Sequence, residues 1–547
     1  MIPQFTFTDF VLAIFTTLFG AALAYGLVQG IPLIGIDDAA ITRSYAENVA
    51  AGHGYVYNVG GERVEGSTAL LWVGILTLVY SWFPNPELPI LALSGAITIA
   101  TVYITIRTVR WFSYWFQCDV NVAVGTLLLF MVASPGFFLW SVWTMMELAI
   151  WSMLLLWFSL MLIKLVEVEA SALTRIGIFL AALVLPTVRP EGIAVSAGLI
   201  LLAGVLRITS WRTCVVALFA TIATFVAITW GRITYFGQPF PNTFYAKVSS
   251  DTIQGLKDGL KYLLDFLQNS PMADVFLVVW SAMILFALLR LRQDMPGARA
   301  LLVAGATVFG MLAVYAGLGG DHFALWRFYQ PIAPLFPVAT ALAVALGVTS
   351  MAEWQRSYGT SLTLSALAAA IVVCGLGWMH YYQTRFDVRK EFTLVERGLA
   401  FGTYLNTADP KPTIGIGPAG GIALAYDGEI LDLLGLNWVE MAHANPIKVG
   451  LRNHASFDRD TFWKHEPDML AAFNRRCGDG PGLQFWSTDD NAFDGLFTDE
   501  RFRETYQPVA FVDGDDCWPA FALPSWIEAS TLEGMKPLTW EEVEIRK

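Results

Sequence analysis

Two adjacent carboxylates, Asp37 and Asp38, follow directly on an apolar run from Phe10 to Ile36 that is long enough to cross a bilayer. An ionised side chain within the hydrocarbon costs roughly 3 kcal/mol on insertion scales, so an acidic pair where a span leaves the lipid calls for a chemical reason. Paired carboxylates can serve as a general base or acid, can steady developing positive charge, or can hold Mg²⁺ or Mn²⁺, and mutual repulsion raises the pKa of one of them. The competing reading is helix capping, since Asp is a good N-cap and suits the positive end of a helix. Charged and polar residues cluster again at Glu147 after SPGFFLWSVWTMM, at Arg189 and Glu191 in LPTVRPEG, at Asn242, Tyr245 and Lys247 in GQPFPNTFYAK, and at Asp321, His322 and Arg327 in GGDHFALWRFYQP.

The elements that position these residues are mostly membrane helices. The chain has 547 residues, 55% of them hydrophobic and only 15% charged, with a mean hydropathy of +0.53. Ordinary soluble domains carry about 25% charged residues, so this is an integral membrane protein. Behind the acidic pair, Ile41, Tyr45 and Val49 repeat every four residues while Arg43 and Glu47 turn away, and Gly52 supplies a stop. That spacing predicts an amphipathic helix over 38–51 on the membrane surface, with both carboxylates facing water. Further apolar runs lie near 67–83, 88–106, 121–140, 146–165, 174–188, 192–206, 213–235, 273–289, 298–317, 331–349 and 361–380. Arg107/Arg110, Lys164/Arg175, Arg207/Arg212, Arg290/Arg292/Arg299 and Arg356 mark the cytoplasmic loops. The alternate connections hold every polar cluster named above, which predicts one outward-facing cavity ringed by Asp37, Asp38, Glu147, Lys247 and Arg327. Parity then makes 67–83 a juxtamembrane or re-entrant helix and leaves about eleven crossings. Leu256, Leu260, Leu263, Leu264 and Leu267, with charges between them, predict an interfacial helix over 252–268.

From about Tyr382 the runs shorten and charge rises. Residues 384–547 hold 16 Lys+Arg against 27 Asp+Glu, which accounts for nearly all of the net charge of −12. This predicts two domains, a membrane domain over 1–383 and an acidic soluble α/β domain over 384–547, outside the cytoplasm. Acidity of this kind argues against nucleic acid as a partner. Thr413–Gly417, Gly420–Tyr426 and Glu429–Leu433 read as strand, short helix and strand, and the G-x-G-x-x-G at 415–420 is too weak alone to imply a nucleotide. Cys477 and Cys517 are the two cysteines of this domain, and oxidising surroundings predict a disulfide between them. Cys118, Cys214 and Cys374 lie in or beside apolar runs as buried hydrophobes, and no His/Cys cluster has metal-ligand spacing.

The stretch DDAAITRSYAENVAAGHGYVYNVGGERVEGSTALLW resembles the first extracytoplasmic loop of polytopic GT-C glycosyltransferases, and among them the terminal β-(1→2)-arabinofuranosyltransferases of actinobacterial cell-wall synthesis. GQPFPNTFYAK resembles the family loop G-x-P-x-P-N-T-x-x-A-K, and GIALAYDGEILDLLGLNWVEMAHA resembles its soluble domain with a D-L-x-G-L motif. The resemblance implies a GT-C fold in a multi-pass bacterial inner-membrane protein. It implies transfer of a sugar, arabinofuranose, from a polyprenyl-phosphate donor to a glycan, lipid or protein acceptor of the cell envelope. Asp37 and Asp38 would be catalytic, with a divalent Mg or Mn ion open at the pair. Arg189, Lys247, His322 and Arg327 would bind the donor phosphate; Arg43, Glu147, Glu191, Asn242, Tyr245 and Asp321 would meet sugar or acceptor. The acidic C-terminal domain would bind the acceptor. A polytopic transporter or flippase of free or lipid-linked sugars is the alternative. It fits less well, because the charges sit at helix ends on one face and no internal repeat is visible.

Overall fold

The computed structural model describes residues 6–166, 171–248, 251–293, 295–354, 356–444, 456–471, 477 and 483–546. The chain divides into two compact units. The first comprises Met1–Gly30, Leu88–Ile228 and Leu256–Val388; the second comprises Ile31–Glu87, Thr229–Gly255 and Arg389–Lys547. The C-terminal division falls close to the sequence boundary at 383/384, but 31–87 and 229–255 belong with the C-terminal segment. The cause is hydrogen bonding between segments distant in sequence: Asn58 exchanges bonds with both backbone groups of Ile430, and the Asn242 amide donates to the carbonyls of Gly435 and Leu436.

The first unit is a helical membrane protein. Among the described residues, six helices are long and apolar enough to cross a bilayer: Phe7–Val28, Glu87–Phe116, Trp211–Phe236, Ala273–Gln293, Pro296–Gly317 and Arg327–Met351. Val120–Val132 and Pro135–Trp143 form a seventh if the pair, bent by 73°, is one span. The expected count of about eleven also drew on Leu148–Lys164, Ala172–Val188 and Gly192–Val205, which are apolar but shorter, and on the run 361–380 within the helix Arg356–Gln383. Asp9 at the start of the first helix accepts from Arg110 at 2.9 Å and lies 3.5 Å from Arg107, which ties the start of Phe7–Val28 to the end of Glu87–Phe116. Leu70–Trp82, 13 residues long, reaches only about 20 Å against a hydrocarbon thickness of about 30 Å. The helix Thr252–Asn269 buries Gly259, Tyr262 and Phe266 and exposes Leu256, Leu260 and Leu264, the pattern of an interfacial helix. Gly259 permits the close approach, since a Cβ there would lie 1.8 Å from the Ala316 carbonyl oxygen.

In the second unit the helix Asp37–Ala50 has the predicted length but different surroundings. Residues 39–46 are all buried, Arg43 included, so the expected water-facing side is closed and the surface-helix reading is corrected. Ala39, Ala40, Ser44 and Ala46 are small enough for neighbours to pack on every side. The C-terminal segment carries β1 (Ile414–Ile416), β2 (Ile430–Asp432), β3 (Met469–Ala471), β4 (Leu483–Trp486), β5 (Gln507–Asp513), β6 (Asp516–Ala522), β7 (Met535–Pro537) and β8 (Val543–Arg546). Six form one sheet in the order β2-β1-β3-β6-β5-β7, and β4 pairs with β8. β1 is parallel to both its neighbours, so the order reverses at its end, where open α/β sheets form a crevice. An aromatic core including Phe485, Phe497, Phe502 and Phe521 fills the space beside the sheet, and Cys477 is joined to Cys517 with their Cα atoms 5.4 Å apart.

Candidate active site

At the C-terminal end of β1 the chain turns through Gly417, Pro418 and Ala419 into the short helix Gly420–Ala423. The Asp37 carboxylate closes this turn: Gly420 N–H donates to both its oxygens at 3.0 and 3.1 Å, and Gly421 N–H to Oδ1 at 2.9 Å. Thus the G-x-G-x-x-G stretch has its strand-turn-helix setting, but the anion on its amides is a side chain of this protein. Burial pushes the Asp37 carboxyl up to about 7 against the pull of the Gly421 and Gly420 amides, and the charges of Asp38 and Asp432 add to the rise. Asp38 is half-buried where Asp37 is sealed. The two therefore do not form one water-facing pair, which corrects that expectation. With Asp37 committed to backbone amides, the pair does not fit a divalent ion bridged between its carboxylates. Among the described residues, no group of three or more His, Cys, Asp or Glu could hold a metal.

Around this seat runs a second set of bonds that sequence reading did not assign. Asp432, at the end of β2, accepts from the backbone amides of Leu434 and Asn437 and from the Asn437 side chain. Asn437 in turn accepts from the Tyr45 hydroxyl at 3.1 Å, and that hydroxyl accepts from Gly66 N–H. Burial raises Asp432 to about 6 despite these donors. The Tyr57 hydroxyl donates to the Ala419 carbonyl at 2.5 Å. The D-L-x-G-L motif at 432–436 was the available signal for Asp432, but nothing in it named Tyr45 or Gly66.

Two residues expected to meet substrate are structural. Arg43, 2% exposed, donates to the Ile34 carbonyl at 2.7 Å, to the Tyr80 hydroxyl at 3.0 Å and to Glu87. Asn242 spends its amide on Gly435 and Leu436. Tyr245 is half-buried and lies against His443 with ring centroids 4.1 Å apart, two residues before the half-buried Lys247.

The remaining candidates belong to the first unit, where they form one cluster. Arg189 is bonded to Glu147 and Glu191, each at 2.5 Å, and the Tyr315 hydroxyl donates to Glu191 at 2.7 Å. Burial opposes ionisation of Glu191, yet the Arg189 charge and the Tyr315 hydroxyl hold its carboxyl below the usual range. One guanidinium already shared by two carboxylates is poorly placed to receive a phosphate, which weakens the expected role of Arg189. Glu147 does not cap the helix Leu148–Lys164 with its side chain; it pairs instead with Arg189. Arg327 grips Asp321 in a fork, Nε to Oδ2 at 2.6 Å and Nη2 to Oδ1 at 3.1 Å, while exposed His322 places Nδ1 3.5 Å from the same carboxylate. Both guanidiniums flank the Phe328 ring, Arg189 at 5.3 Å and Arg327 at 5.1 Å from its centroid, and Arg327 also covers Phe323 at 4.0 Å.

The backbone beside this cluster is held in costly conformations. Met145 (φ 61°), Leu325 (φ 61°) and Trp326 (φ 49°) are left-handed non-glycine residues, each costing about 1–3 kcal/mol. A π-helical turn, Leu139–Trp143, leads into Met145, and such turns concentrate at functional sites.

No family model and no curated protein matches the sequence. Solved structures do match the fold. ArnT from Cupriavidus metallidurans bound to undecaprenyl phosphate aligns with a TM-score of 0.53 at 14% identity, over 85% of this chain and 93% of that one. The apo form of ArnT aligns at 0.52 and 13%, over 94% and 98%. The oligosaccharyltransferase AglB from Archaeoglobus fulgidus, in complex with an inhibitory peptide and a dolichol-phosphate, aligns at 0.52 and 12%, over 97% and 76%. The chain therefore has the fold of GT-C membrane proteins, helical with a small C-terminal sheet region.

Proposed function

We propose that the protein is a polyprenyl-phosphate-sugar-dependent glycosyltransferase that moves arabinofuranose to an extracytoplasmic acceptor of the cell envelope. The observation that carries this reading is the half-buried Asp38, one residue past a sealed Asp37, in a fold shared with proteins solved with undecaprenyl phosphate and dolichol-phosphate. The arabinofuranose assignment rests on the loop resemblances alone. In the reaction the acceptor oxygen bonds to the anomeric carbon as the bond from that carbon to the phosphate oxygen breaks. Asp38 takes the hydroxyl proton, and the polyprenyl phosphate leaves with the electron pair.

Arg327 and His322, side by side at the Asp321 carboxylate with Arg327 against the Phe323 and Phe328 rings, are assigned to the leaving phosphate. Glu147, Glu191 and Asp321 then act by holding Arg189 and Arg327. Tyr245 and Lys247, with the C-terminal segment, are assigned to the acceptor. The disulfide favours an extracytoplasmic second unit in the bacterial inner membrane.

The test is reconstitution in liposomes with a labelled polyprenyl-phosphoryl arabinofuranose and a synthetic arabinofuranose oligosaccharide. The wild type is expected to extend the oligosaccharide, and Asp38→Asn to lose about 10²–10⁴ in turnover. Flux of free or lipid-linked sugar across the bilayer without transfer would assign the chain to transport instead.

A further inference from the structure

The seat at the end of β1 has a consequence for the carboxylate beside it. Asp37 and Asp38 open the helix Asp37–Ala50, and the residue at its N-cap, Ile36, makes no side-chain capping bond. The first turn of that helix is instead fixed from 383 and 384 residues away by the amides of Gly420 and Gly421. Both glycines are required by space. A Cβ on Gly420 would lie 1.9 Å from the Asp37 carbonyl oxygen and 3.0 Å from its Cγ, and one on Gly421 would lie 2.4 Å from the Val395 carbonyl oxygen. The Tyr57 hydroxyl holds the same turn at Ala419. Only one peptide unit separates the clamped Cα from that of Asp38, so the clamp sets where Asp38 points.

We propose that Asp37 is a positioning residue, and that the glycine turn 419–421 of the C-terminal sheet aims Asp38 through the Asp37 carboxylate. The inference rests on Asp38 being the reacting carboxylate. It assigns to the sheet a direct part in catalysis, beyond any acceptor binding: movement of this turn changes the catalytic group without touching substrate. Misplacement of a reacting group by about 1 Å can cost 10²-fold in rate.

Three variants probe the clamp in the liposome assay, with activity expressed per folded molecule. Asp37→Asn keeps the shape but sets an N–H against the Gly420 amide; Gly420→Ala keeps both carboxylates; Tyr57→Phe only loosens the turn. The expected losses in kcat are about 10–100-fold for the first two and about 2–5-fold for the third, with KM for the polyprenyl-phosphoryl sugar unchanged. The pH-rate profile should keep an acidic limb, because Asp38 remains the base. Hydrogen exchange should show protected amides at Gly420 and Gly421 in the wild type and in Asp38→Asn, and loss of protection in Asp37→Asn. Wild-type kcat in Asp37→Asn despite lost amide protection would reduce the clamp to a fold contact and overturn the proposal. An Asp37→Asn enzyme as inactive as Asp38→Asn, with the acidic limb abolished, would overturn it in the other direction by making Asp37 itself the base. Normal turnover in Asp38→Asn would sink the functional reading first and this inference with it. If Gly420→Ala does not fold, Asp37→Asn and Tyr57→Phe still decide the question.

Discussion

Buried charge is handled differently in the two units. In the second, the buried ions at the end of the sheet and around it meet partners that leave them little to do. Asp37 and Asp432 are surrounded by backbone amides, Arg43 has three acceptors, and Arg232 is matched in a fork to Glu65 with side chains 7% and 2% exposed. In the first, Arg189 and Arg327 lie between carboxylates and aromatic faces, beside left-handed backbone and an exposed imidazole. A backbone amide cannot move away to admit a ligand, whereas a side-chain pair lying on rings can open. The arrangement in the second unit fastens loops to a sheet; that in the first holds side chains that a ligand can displace.

The largest effect that would test this contrast is Glu65→Gln. It leaves the Arg232 guanidinium buried without its charge partner, and breaking a buried pair in this way costs about 3–5 kcal/mol. The expected outcome is a much lower thermal midpoint in detergent, with the surviving folded protein turning over normally. Arg327→Lys should do the reverse. It keeps the positive charge opposite Asp321 but loses the fork and the stacking on Phe323 and Phe328. The midpoint should move by only a few degrees while turnover falls about 10²-fold. If Arg327→Lys lowers the midpoint and spares turnover, both clusters are fasteners and the distinction fails.

The sequence showed the apolar runs, the strand-helix-strand at 413–433 and each polar cluster, because these depend on local periodicity and composition. It did not show that Asp37 and Asp38 differ. Neighbouring residues on a helix diverge by about 100°, so adjacency says nothing about shared surroundings. Arg43 was misjudged for a related reason. The stripe Ile41, Tyr45, Val49 defined one buried face, while the opposite face is covered by segments that arrive later in the chain. Tyr45, for example, is bonded to Asn437, 392 residues away. The glycine turn could be recognised as an anion seat from its spacing, but not that its anion lies 383 residues upstream.

The smallest expected effect concerns pH. Asp37 and Asp432 titrate in the folded protein near 7 and near 6, against an ordinary value of 3.8. Burial raises both, so between pH 4 and 7 the folded state binds more protons than the unfolded one. Stability from these groups is therefore fully present below about pH 4 and is lost as pH rises through 6 and then 7, the opposite of a salt-bridged carboxylate. The thermal midpoint of the second unit should fall over this window and level off above it. Asp432→Asn keeps an oxygen for the Leu434 amide and removes the charge, so it should flatten the part of the fall that ends near pH 6. The first unit offers the control: Glu191, held below the ordinary range by Arg189 and Tyr315 against its burial, adds stability above that range and loses it on acidification. Glu191→Gln should thus leave the fall between pH 4 and 7 intact. A midpoint that rises with pH across the window in the wild type would mean that the amide bonds to Asp37 and Asp432 outweigh burial, and would erase the electrostatic difference between the two units.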